Sequence, residues 1–185
     1  MEQKLPNIKI LDEKDKRLHI KSKPATFPLS DDMKKLINDS LVYLEMSQDE
    51  KIAKKYNLRA GMGLSMCQLG INTRIFVVSE DHGDGTFGRY VVINPEIVSH
   101  SEELIYVGEG EGCLSVNRPV EGIVPRYARV TFKAYDIDGK EYTIRVREDM
   151  AVAFQHELDH LNGILFVDKI DPKNPYKNKD MMREI

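Results

Sequence analysis

The apolar positions of the chain follow two different rhythms. Met33, Leu36, Ile37, Leu41 and Leu44 recur at helical spacing and form one stripe. Ser30 offers a capping hydroxyl ahead of them, and Asp31 and Asp32 place negative charge at the positive helix end. This predicts a one-faced amphipathic helix to about Glu45, continuing towards Tyr56, with its leucine and methionine stripe in the core. The middle of the chain is β-branched and aromatic. Residues 74–78 and 90–93 read as strands, separated by a glycine-rich turn region at 82–88. Residues 129–135 and 141–146 alternate on either side of Asp138-Gly139, the signature of a hairpin. A second helix is expected over 148–162, ending at Gly163. Leu165-Phe166-Val167 reads as a last short strand. Residues 1–29 are charged and then interrupted by Pro24 and Pro28, which predicts an irregular, wrapping arm. Residues 171–185 form a polar tail whose stretch 171–180 is expected to be extended. The pattern is α+β: antiparallel or mixed β-sheets packed around a central helix, with an N-terminal helix before them.

Composition narrows the picture. The chain has 185 residues, 41% hydrophobic and 31% charged, which fits one folded domain over residues 1–185. With 27 basic and 30 acidic residues the net charge is -3, so no basic surface for nucleic acid or membrane is expected. No apolar run approaches membrane-spanning length, and the first residues lack the apolar stretch of a secretory signal. A cytoplasmic protein is the expectation. Cys67 and Cys113 are the two cysteines, too few for a disulfide framework.

The predicted second helix carries His156-Glu157-Leu158-Asp159-His160. Positions i and i+4 lie one above the other, so Val152, His156 and His160 share a face and both imidazoles can reach one metal ion. Glu157 is then close enough to act on a water bound to that ion. A catalytic site of this kind needs a third protein ligand and one open position. One protease pattern places a third histidine six residues after the second, but Phe166 stands there. Another uses a downstream glutamate, and Glu184 is the single candidate, in the polar tail. Upstream, Cys113 follows Glu109-Gly110-Glu111-Gly112 and opens an apolar, strand-like run; a thiolate that a metal has deprotonated is an able ligand. Glycines there permit close backbone approach to a substrate. A third segment, Gly61-Met62-Gly63-Leu64-Ser65-Met66-Cys67-Gln68, alternates glycine with apolar residues. It is not a phosphate loop, since no Gly-Lys-Ser/Thr follows.

Together the three segments resemble the three motifs of the peptide deformylases, in order and in spacing. Glu111 to Ser115 and Gln155 to His160 match the second and third motifs fully. In the first, Ser65-Met66 replace the usual Ala-Ala and Cys67 stands where proline is common. The length between the first two motifs and the continuation after Ser115 look like the longer, Gram-positive and mycoplasma-type members. The resemblance implies that Cys113, His156 and His160 hold one divalent metal. Glu157 is implied as general acid/base, and Gln68 and the Leu114 backbone N–H as oxyanion donors. Gly61, Gly63, Leu64, Glu111 and Gly112 are expected along the substrate cleft, with Val152 near the pocket for the methionine side chain. A thiolate with two imidazoles suits iron(II), zinc, nickel or cobalt, and the resemblance implies iron(II). The implied reaction removes the formyl group from N-formylmethionyl peptides and nascent chains, in transient proximity to ribosomes, without direct nucleic-acid or membrane binding. Two competing readings remain at this point: a metallopeptidase cutting internal bonds, and a non-catalytic, metal-stabilised formyl-peptide-binding module.

Overall fold

The computed structural model describes residues 4–185. The Ser30 hydroxyl accepts from the Met33 N–H at 3.2 Å, and α1 runs from Asp31 to Gln48. The expected continuation towards Tyr56 is broken. Asp49 is extended, and its carboxylate accepts from the Ile52 N–H at 2.9 Å, so it starts a separate helix α2, Glu50–Tyr56. A residue that caps one helix cannot also sit inside another. Ile37, Leu41 and Leu44 of α1 pack on Leu64, Met66, Ile75, Val77 and Ile93, one half of the core.

The strands are β1 (Gly63–Ser65), β2 (Ile75–Asp81), β3 (Phe87–His100), β4 (Leu104–Tyr106), β5 (Arg126–Tyr127), β6 (Arg129–Tyr135) and β7 (Glu141–Arg147). Five of them form an antiparallel sheet in the order β1-β2-β3-β6-β7. The Asp-Gly hairpin forms as expected, with Gly139 in the left-handed region at φ 80°. The helix α3, Glu148–Leu161, follows β7 directly and lies on the sheet. Phe154 meets Phe76 edge-on at 5.4 Å and Phe132 at 5.5 Å, which forms the second half of the core. Gln155 pins α3 to β5, accepting from the Tyr127 N–H and donating to the Tyr127 carbonyl, both at 2.9 Å.

Three local expectations are corrected. Residues 165–167 are not a strand. Asp168 accepts from the Leu165 N–H at 2.8 Å and closes a 3₁₀ turn over Phe166–Lys169. The run opened by Cys113 is a turn, closed by Val116 N–H to Cys113 carbonyl at 3.0 Å. The polar tail is folded: Asp171 accepts from the N–H groups of Lys173 and Asn174, and β8 (Arg183–Glu184) adds in parallel to β4. The second sheet is therefore β5-β4-β8.

The N-terminal arm reaches both loops that flank the third-motif helix. Leu11 N–H donates to the Gln68 carbonyl and Glu13 N–H to the Ser115 carbonyl, each at 2.8 Å. Leu18, in a 3₁₀ turn, is fully buried. Among the described residues no helix is long and apolar enough to cross a membrane.

Candidate metal centre

Helical spacing brings His156 and His160 onto the buried face of α3, and the turn after Gly112 carries Cys113 up to them. The donor atoms of Cys113, His156 and His160 all lie within 4.8 Å of one another. Cys113 Sγ is 3.3 Å from His160 Nε2. Two further groups face the sulfur: the Ser115 N–H at 3.4 Å and Gln68 Nε2 at 3.7 Å.

The ring of His156 is fixed from behind. Its Nδ1 is 2.8 Å from Glu111 Oε2, which leaves Nε2 for the front of the site. Glu111 in turn takes a two-pronged ion pair from Arg126, at 2.7 and 2.9 Å, and Arg126 also reaches Asp159 at 2.6 Å. Both carboxylates and the guanidinium are buried. Phe166, at the position where a protease pattern needs histidine, stacks on His156 with ring centres 5.8 Å apart. Glu184 accepts from the Tyr106 hydroxyl at 2.7 Å on β8 instead of serving the site.

Burial alone opposes a charged His156, but hydrogen bonds to Cys113 and Glu111 and the charge of Glu157 outweigh it and raise its pKa to about 10. Burial, then the neighbouring His156 and Arg126, push His160 well down. Burial raises the Glu157 carboxyl, against the pull of His156 and the Ser65 hydroxyl. Cys113, His156 and Glu157 border a cavity of about 450 Å³, and the His160 donor atom lies within 4.8 Å of those of Cys113 and His156. This donor set, with one imidazole oriented by a carboxylate, fits a catalytic divalent ion.

Glu157 lies against the glycine segment. Ser65 Oγ donates to Glu157 Oε2 at 2.7 Å, and a Cβ on Gly63 would sit 2.5 Å from Glu157 Oε1. Gln68 Oε1 accepts from the Ser65 N–H at 2.9 Å, which aims Nε2 at Ser115 Oγ and Cys113 Sγ. Gly61, Gly63, Gln68, Glu111, Gly112, Cys113, Leu114, Val152, His156 and Glu157 border the cavity. Leu64 does not. It is fully buried in the core under α1, because successive residues of β1 face opposite sides and Gly63 takes the cleft side; Met62, which precedes the strand, also borders the cleft. Glu111 borders the cavity, yet its carboxylate is committed to Arg126 and His156. Cys67 is a packing residue against Leu18 and Leu165, with its thiol pushed up to about 12 by burial and by the charge of Glu157.

Arg126, Asp159, Ser115 and Arg59 were not singled out by sequence reading. The signal for Arg126 was the pair of acids, Glu111 and Asp159, inside two motifs; buried carboxylates require a cation. Arg59 donates to three carbonyls of the turn after Gly112: Val116 at 2.8 Å, Cys113 at 3.2 Å and Leu114 at 2.7 Å.

A cysteine and two histidines gathered beside an acid, an amide donor and an open cleft are a donor set that suits a metal-dependent hydrolase. Residues 8–176 match the polypeptide deformylase family. The peptide deformylase of Oceanobacillus iheyensis is 49% identical over 80% of this chain and 81% of its own length. Peptide deformylase 2 of Geobacillus stearothermophilus is 44% identical over 86% of each chain. The crystal structure of the Thermotoga maritima enzyme superposes with a TM-score of 0.71 at 32% identity, covering 89% of this chain and 98% of that one. The chain belongs to the peptide deformylase family, and with it to the metal-dependent hydrolases.

Proposed function

We infer that the chain hydrolyses the formamide of peptides beginning with N-formylmethionine, leaving a free amine and formate. The observation that carries this reading is the cluster of Cys113, His156 and His160 donor atoms beside a cavity that Cys113, His156, Glu157 and Gln68 border. Cys113, His156 and His160 would hold the ion. When bound, a divalent ion there supplies Lewis acidity and brings the pKa of a coordinated water down to near neutral.

The remaining work falls to the chain itself. Glu157, buried and biased towards holding a proton, takes the proton from the attacking water and passes it to the departing amine. Gln68 Nε2 and the Leu114 N–H are the donors for the charge that grows on the formyl oxygen; losing one such donor typically costs about 10²–10³ in rate. Gly61 and Gly63 keep the cleft wall free of side chains, so an extended peptide can approach the edge of β1 and pair with it. Val152 lies with the methionine side chain. Main-chain pairing tolerates varied residues after methionine, which suits a reaction on nascent chains in the cytoplasm, in transient proximity to ribosomes and without direct contact to nucleic acid.

We assign iron(II) as the native ion. Aerobic loss of activity that nickel or cobalt restores supports iron, whereas a fully active zinc-only preparation defeats it. The function itself is tested by formate release from formyl-Met-Ala-Ser, with metal analysis on the same sample. Glu157→Ala should keep the metal and lose turnover by about 10²–10⁴. Retained turnover in that variant, or cleavage of internal peptide bonds by the wild type, would overturn the reading.

A further inference from the structure

The strand β8 is two residues long and distant in sequence from every motif, yet it is fastened to two elements of the cleft. It pairs with β4 through Ile105↔Arg183 and Tyr106↔Glu184. The Ile185 N–H donates to the Tyr106 carbonyl at 3.0 Å, and the Gly108 N–H donates to the Ile185 carbonyl at 3.1 Å. A side chain on Gly108 would collide with Glu184. Arg183 reaches Glu103 at 2.8 Å and grips both oxygens of Glu148 at 2.7 and 2.9 Å. Glu148 is the first residue of α3 and sits at φ 52°, a conformation costly for a residue with a Cβ. The strand thus ties the start of the metal-site helix to β4 and to residues 107–112, the stretch that leads into Cys113.

The side chain of Ile185 completes this arrangement. With Val107 it packs on the buried cluster of Ile105, Ala128 and Val152. Val107 and Val152 both border the cavity. Ile185 therefore packs against the same small apolar cluster that contains Val152 and that Val107 also packs against, and both valines border the cleft.

We propose that Ile185 is a specificity-determining residue: it backs the Val107–Val152 wall and sets the depth of the pocket that receives the first side chain of the formylated peptide. The proposal rests on the deformylase reading, with that side chain lodged beside Val152. Ile185 touches no reacting group. It acts through Val107 and Val152, which retreat into the space left when it is shortened, because a packed wall relaxes into a void.

The test compares wild type, Ile185→Ala and Ile185→Val on formyl-Met-Ala-Ser and formyl-Phe-Ala-Ser. One methylene in an apolar pocket is worth about 10-fold or more in selectivity when the wall is rigid, and a relaxing wall gives less. Ile185→Ala should lower the Met-to-Phe ratio of kcat/KM by about fivefold, with KM carrying the change. Calorimetric binding of the products Met-Ala-Ser and Phe-Ala-Ser should shift in the same direction, a readout independent of turnover. Ile185→Val should move both ratios the same way by less, and decides the matter if the alanine variant does not fold. Unchanged ratios in folded variants overturn the proposal while leaving the functional reading intact. A metal-loaded wild type that releases no formate from either peptide overturns that reading and this proposal with it.

Discussion

Ser65 Oγ lies 2.7 Å from Glu157 Oε2 and 3.2 Å from the Glu157 carbonyl oxygen, so the first-motif segment holds the acid of the third motif directly. Ser65 is one of the positions where the chain departs from the usual alanine. The departure therefore adds a buried polar contact to the group that handles the proton. A hydroxyl donated to a carboxylate favours the ionised form, and burial of Glu157 opposes it.

Ser65→Ala should consequently fold, keep its metal and remain active, since it restores a residue the family motif accommodates. Its Glu157 carboxyl should hold a proton to higher pH. The acid limb of the kcat/KM profile should move upward relative to wild type, with the rate above neutrality falling by about tenfold, the lower end of the scale of one hydrogen bond to a charged group. Superimposable acid limbs would show that the hydroxyl does not govern Glu157.

The two cleft glycines should respond unequally to alanine. A Cβ on Gly63 meets the Glu157 carboxylate at 2.5 Å, and that carboxylate is anchored by Ser65. A Cβ on Gly61 meets the end of the Leu114 side chain at 2.7 Å, which can turn aside. Displacing a reacting group by about 1 Å can cost about 10² in rate. Gly63→Ala should therefore lose about 10² in kcat, and Gly61→Ala should act mainly on KM. Steady-state kinetics on one formylated tripeptide separates the two, and equal effects on kcat would refute the distinction.

How legible these relationships are in the sequence depends on their range. The pairing of His156 with His160 is local, so helical spacing exposes it. The Asp138-Gly139 hairpin and the Ser30 cap are equally local. Cys113 and Gln68 come from distant segments, and only the joint occurrence of three motifs ties them to the histidines. Leu64 shows a readable signal passed over: period-two alternation puts it opposite Gly63, in the core. The apolar run at 165–167 misleads because one carboxylate, Asp168, captures the backbone of Leu165. Arg126 and β8 stay hidden because their partners are fixed by register between strands far apart in sequence, which no local pattern encodes.

Arg126 supports the site at a cost that becomes visible when it is removed. It sits between Glu111 and Asp159, with the guanidinium 1% exposed. Arg126→Met leaves two buried carboxylates without their main cation and should destabilise the fold by about 3–5 kcal/mol at pH 7, read by urea unfolding. The pH dependence has a definite sign. Burial raises the Glu111 pKa, but Arg126 and His156 outweigh it and hold it at about 2, below its ordinary 4.5. A depressed carboxyl stabilises the fold above its unfolded pKa and loses that contribution as pH falls through the folded value. Wild type should thus lose the Glu111 share of its stability between about pH 4.5 and about pH 2. Glu111→Gln has no such share to lose, so its own decline over that interval should be shallower. Parallel declines would place the acid sensitivity elsewhere.

Arg59 offers the sharpest test of how the sulfur ligand is positioned. Its guanidinium has five N–H donors in a fixed fork, and here they reach the carbonyls of Cys113, Leu114 and Val116. Those residues form the turn that carries the thiolate and the Leu114 N–H. Removing the fork frees three carbonyls at the rim of the cleft, where water can replace the bonds but not their geometry. Arg59→Ala should therefore fold, while the turn loses its fixed relation to the histidines. In the cobalt-substituted protein, the sulfur-to-metal absorption band should weaken or shift, and kcat should fall by about tenfold or more as the oxyanion donor drifts. Arg59→Lys, a point charge with no planar fork, should recover charge at the rim but little of the rate. If the lysine variant restores both the band and kcat, charge is what matters, and the three carbonyl bonds are incidental to catalysis.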